Sequence, residues 1–92
     1  MFIKIVEVDT QSMDRYILRE THINSSAILS ITEQPPDEKL IKESASMGMS
    51  PHASYSKITF NTPYDGKSSM LVVGHPDTIR KKIGISREVL KG

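Results

Sequence analysis

Apolar and β-branched residues in this chain fall into five short runs separated by turn-forming clusters, followed by a single run with helical spacing. That spacing constrains the fold more than any other feature. Phe2 to Val8 alternates in part, with Ile3 and Ile5 on one side and Phe2, Val6 and Val8 on the other, which predicts a strand covered on both faces. Arg15 to Glu20 predicts a second strand, antiparallel to the first. Ile23-Asn-Ser-Ser26 reads as a corner, because Asn and Ser side chains bond nearby backbone groups. Ala27 to Glu33 predicts a third strand with Ala27, Leu29 and Ile31 on the core face. Ser54 to Asn61 predicts a fourth, with Ser56, Ile58 and Phe60 facing one way and Tyr55, Lys57 and Thr59 the other. After the hairpin signal Asp65-Gly66, Ser69 to Gly74 predicts a fifth, apolar and central. Ile31, Ile58, Phe60, Leu71, Val73 and Ile79 are expected to form one buried cluster.

Pro76 suits the first position of a helix, and Ile79 and Ile83 mark its buried stripe. Gly84 is expected to stop it, with one further turn over residues 86–91. The fold class is therefore α+β: a small, strongly curved antiparallel sheet of about five strands with a C-terminal helix, and a small open barrel as the variant. At 92 residues the chain is one domain. Residues 34–53 form a long insertion between the third and fourth strands, opened by Pro35-Pro36 and containing two helical turns capped by Asp37. An excursion of that length in a compact domain is usually functional or disordered.

Composition narrows the chemistry. There is no Cys, so there is no disulfide framework and no thiolate metal site, and a cytoplasmic setting fits. The apolar start is broken by Lys4 and Glu7, unlike a secretion signal, and no run has the length of a membrane span. Net charge is +1, but the basic residues gather late in the chain, at Arg80, Lys81, Lys82, Arg87 and Lys91. No cofactor is implied.

The order of elements resembles the short sheet-plus-helix proteins found in bacterial flagellar operons and many phage genomes. The residues that carry it are Tyr16-Ile-Leu-Arg19, Ile23-Asn24, Ile28, Ile31, Ile58-Thr-Phe60, Leu71-Val-Val73 and Ile79 to Ile83. The layout covers about two-thirds of the chain, and the 34–53 insertion departs from it. The resemblance implies a small accessory protein without catalysis, and it carries no defined site residues.

Individual motifs give weak signals. His22, His52 and His75 are dispersed and lack metal-ligand spacing. No serine lies in a nucleophile elbow, and Asp37-Glu38 read as a solvated cap rather than an acid–base pair. Val73-Gly-His-Pro-Asp-Thr78 runs from strand into helix, so Gly74, His75 and Thr78 are candidates to hold an anion; Pro76 and Asp77 argue against it. Arg80 and Lys81, with Lys57, are the candidates for phosphate contacts, although basic residues near a helix C-terminus are expected from its dipole alone. Met47, Met49, His52 and Tyr55 are candidate contacts to a neighbouring subunit or a protein partner, since Met and Tyr adapt to irregular surfaces. Replacing residues 37–50 with a short Gly-Ser turn is expected to keep the fold and weaken those contacts.

These readings converge on a non-catalytic small binding protein, phage or bacterial, of accessory or inhibitor type. It is expected to act as a homo-oligomer that binds a protein partner or sequesters a small anionic, nucleotide-like ligand, with no membrane association. The alternative is a weak nucleic-acid-binding or transcription-regulatory protein using the basic C-terminal helix.

Overall fold

A computed structural model describes residues 1–11, 15–46, 48–50, 52–64 and 66–91, the side chains of 10, 11, 15 and 85–91 excepted. The elements in chain order are β1 (Phe2–Gln11), β2 (Arg15–Asn24), a single 3-10 turn (Ser25–Ala27), β3 (Ile28–Glu33), α1 (Glu38–Ser44), β4 (Tyr55–Tyr64), β5 (Lys67–Val73) and α2 (Pro76–Lys91). The strands form one antiparallel sheet in the order β2-β1-β5-β4-β3. The sheet does not close into a barrel, and β2 and β3 are its two edges.

Successive side chains of a strand point to opposite faces, and both faces of this sheet carry a core. Ile3 and Ile5 of β1 meet Ile23 of β2, Ile31 of β3, Ile58 and Phe60 of β4, and Met70 and Val72 of β5, with Ile79 of α2 laid over them. On the other face Val8 and Tyr55 pack under Leu40 of α1, with Leu71 and Val73 beside them. The two helices therefore cover opposite faces. The alternation expected for β1 and β4 is the one observed.

Three expectations are corrected. Leu71 and Val73 belong to the α1 face, while Met70 and Val72 enter the main core. Residues 70–73 are all apolar, so the pattern alone does not choose between parities; the pairing Ile58↔Met70 does. Leu29 is 67% exposed, because the register with β4 shifts between Ile28 and Ser30 and leaves Leu29 out of the alternation. Gly84 does not stop α2, which continues to Lys91.

The corner between the edge strands forms as its residues suggest. The Asn24 Oδ1 accepts from the Ser26 N–H at 3.1 Å and from the Ser26 hydroxyl at 2.7 Å. Asp37 caps α1 through its Oδ1, which accepts from the Leu40 N–H at 2.7 Å. No helix among the described residues is long and apolar enough to cross a membrane.

Candidate functional site

Three places in the fold bear on function, and the residues singled out by sequence fall in the first two. The first is the corner between β5 and α2. Gly74 has φ +121°, a value that favours glycine. Its N–H donates to the Ser54 carbonyl at 2.8 Å, and its carbonyl accepts from the buried Ser56 hydroxyl at 2.6 Å. The end of the 34–53 excursion thus lies against the start of α2, which brings the stretches holding His52 and His75 together. Both imidazoles are exposed, and the His52 N–H donates to Ser50 Oγ at 3.1 Å.

The same corner is poorly suited to an anion. The Asp77 N–H donates to His75 Nδ1 at 3.2 Å, and the Thr78 and Ile79 N–H groups donate to the His75 carbonyl at 3.0 and 3.2 Å. Pro76 has no N–H. The N–H groups of Gly74, Asp77, Thr78 and Ile79 are therefore already occupied and not free for an anion. Thr78, Arg80 and Lys81 point to solvent along α2.

The second place is the α1 face. Tyr55, expected at a contact surface, is only 3% exposed and packs with Val8 and Leu40. It is an interior residue: β4 begins beneath α1, which roofs it. Met49 is half-buried, its N–H donating to the Ser44 carbonyl at 2.8 Å. Met47 lies outside the described residues. Lys57 is exposed and lines a groove of about 310 Å³ with Gln34, Ser69, Met70 and Leu71.

The third place is a charged cluster that the sequence reading missed. Glu7 lies on the main-core side of β1 and is 4% exposed. The Lys67 ammonium donates to it at 2.9 Å and to Asp9 at 3.4 Å, and Arg19 pairs with Asp9 at 3.1 Å. The hydrogen bond from Lys67 to Glu7 holds the ammonium's pKa above its usual 10.5, despite a smaller opposing effect of burial. Glu7, Arg19 and Lys67 edge a pocket of about 210 Å³ with Thr21, Tyr64 and Met70. The Tyr64 hydroxyl donates to the His22 carbonyl at 3.2 Å, and its ring stacks on Phe60 at 5.5 Å between centroids. Two carboxylates and two cations here balance one another, and together they tie the β4–β5 hairpin to β1 and β2. The legible signal was Glu7 itself, a charge following Ile3 and Ile5 on the core-facing alternation.

Among the described residues no group of three or more His, Asp or Glu is placed to hold a metal ion. Compared with protein-family models, curated proteins and solved structures, the chain has no match.

Proposed function

We propose that this chain is a small non-catalytic binding protein, an accessory or inhibitor protein of bacterial or phage type, which works in the cytoplasm as an assembly of copies and engages a protein partner or a small anionic ligand. The observation that carries this reading is the uneven finish of the surface. Glu7, Asp9, Arg19 and Lys67 are paired with one another, which favours a structural clamp over acid–base chemistry at that cluster. The sheet edge at β3, by contrast, leaves Leu29 two-thirds exposed beside unpaired backbone. Exposed strand edges serve as pairing surfaces for other chains.

A strongly curved sheet belongs to the same reading. β2 and β3 are the outermost strands, yet three residues join them. Five flat strands would hold them about 19 Å apart, and the four Cα steps from Asn24 to Ile28 reach at most about 14 Å. Curvature of that kind turns the main-core face inward and leaves the edges and the outer helix surfaces for recognition.

Native mass spectrometry of the untagged protein tests the reading, because it reports assembly and retained ligand in one spectrum. Oligomers, or a bound small molecule, are expected. A monomer with nothing retained at every concentration would overturn it. The second reading, nucleic-acid binding, is favoured among the described residues by the exposed Arg80, Lys81 and Lys82 on α2. It requires affinity that falls steeply and log-linearly with salt.

A further inference from the structure

We propose that the β3 edge is the seam between two copies of this chain, paired antiparallel about a two-fold axis at Ile31, so that their sheets continue as one. This rests on the assembly reading above and deepens it by naming the strand and the register.

The backbone decides which groups are available. The Gln34 N–H donates to the Tyr55 carbonyl at 3.0 Å, and the same register pairs Glu33↔Ser56, Thr32↔Lys57 and Ile31↔Ile58. Hydrogen-bonded and non-hydrogen-bonded pairs alternate along an antiparallel ladder. Thr32 therefore bonds toward β4, while the backbone groups of Ile31 and Glu33 point away from it. Among the described residues those groups take no other hydrogen bond. Ser30, Thr32 and Glu33 have exposed side chains.

The two edges of the sheet are treated differently. Edges that must stay unpaired usually carry charges, proline or a cover. β2 has the exposed charges of Arg19 and Glu20, and the Tyr64 hydroxyl sits on its His22 carbonyl. β3 has a single charge, the exposed Glu33 at its last position, and no proline. One edge is guarded along its length and the other only at its end.

A second copy fits the open edge because the contact is self-complementary, as a two-fold axis requires. With the axis at Ile31, Ser30 lies opposite the partner's Thr32, a hydroxyl pair that favours cross-strand contact. Leu29 lies opposite the partner's Glu33, and no like charges meet. An axis at Ser30 would draw the irregular Ile28–Ser30 segment into the ladder, and an axis at Thr32 would run toward Pro35. Pairing β2 with itself about Arg19 or Glu20 would set like charges face to face.

The absence of Cys from the chain makes a cross-link unambiguous. In this register residue 30 and the partner's Thr32 form a non-hydrogen-bonded pair with Cα atoms about 4.5 Å apart, within disulfide reach. The double variant Ser30→Cys/Thr32→Cys should oxidise to a covalent dimer that reductant returns to monomer. Ser30→Lys/Thr32→Lys should give a monomer mass by light scattering at a concentration where the wild type is dimeric, while Glu20→Lys on β2 keeps the wild-type mass. Circular dichroism confirms folding, and the smaller cysteine substitutions decide if the lysine variant fails to fold. A wild-type dimer that neither cross-links nor responds to the lysines would overturn the seam and leave the assembly reading standing. A wild type that is monomeric at every concentration would overturn both.

Discussion

The Lys67 ammonium lies 2.9 Å from the carboxylate of Glu7, a residue sixty positions earlier that is almost wholly buried. Removing the lysine leaves that carboxylate beside Asp9 with its closest cation gone. Breaking a fully buried pair costs about 3–5 kcal/mol, and partial exposure of the lysine reduces the expected cost of Lys67→Met to about 1–3 kcal/mol. Glu7→Gln with Lys67→Met should recover much of the loss, since the stranded charge is then gone as well. Urea melts of the two single variants and the double variant measure the coupling. Strictly additive losses would show that the pair does not act as a unit.

The same lysine is expected to weaken the fold at alkaline pH, together with Tyr55. The folded-state pKa of Lys67 is raised, so its stabilisation is complete below the unfolded value of 10.5 and is lost as pH climbs through the folded value. Burial pushes the Tyr55 phenol above its ordinary 10.0, because a phenolate would lie among Val8 and Leu40. The folded chain keeps a proton that the unfolded chain releases, so this group also lowers stability as pH rises past 10.0. The urea midpoint is expected to decline from about pH 10 upward. Tyr55→Phe should remove the earlier part of that decline and Lys67→Met the later part.

Ile58 and Leu29 give a test of the register. Ile58 is fully buried at the centre of the main core, and Ile58→Ala should cost about 2–5 kcal/mol. Leu29→Ala should change stability by about 0.5 kcal/mol or less, as for other exposed sites. Comparable losses at the two positions would mean that the irregularity at Ile28–Ser30 does not turn Leu29 outward.

These two residues also show what a reader of the sequence could and could not see. Ser56, Ile58 and Phe60 alternate with polar neighbours, so their shared face was legible from period alone. Leu29 alternates equally well with Ala27 and Ile31, yet a one-residue shift in pairing removes it from the core. Such a shift depends on the partner strand and leaves no local mark. Met70 to Val73 are apolar throughout, so their parity was set by pairing to Ile58 and not by pattern. The charged cluster was missed because Lys67 and Arg19 become neighbours of Glu7 and Asp9 only after the hairpins form.

Gly84 marks a place where the chain is less stable than its helix allows. It lies inside α2, and a Cβ built there meets nothing within 4 Å. Gly84→Ala should stabilise the protein by about 0.5–1 kcal/mol, chiefly by restricting the unfolded chain. A thermal melt that moves down would place a neighbour against that position.

The excursion between β3 and β4 supplies the last test, and here the structure reverses the sequence-based expectation. Leu40 is buried against Val8 and Tyr55, so α1 roofs the second face of the sheet. Loop closure entropy changes slowly with length, so shortening the chain is itself nearly neutral. Replacing residues 37–50 with a Gly-Ser turn also strips that roof and exposes Tyr55, which should destabilise the protein by about 2–5 kcal/mol, the range for deleting a large apolar side chain from a core. Leu40→Ala alone should reproduce most of the loss. Asp37→Ala, which removes the cap but leaves Leu40 in place, should cost only about 1 kcal/mol. Denaturant melts of the three variants rank the contributions. If the Gly-Ser replacement melts like the wild type, the face beneath α1 does not need its cover, and Leu40 contributes nothing to the fold.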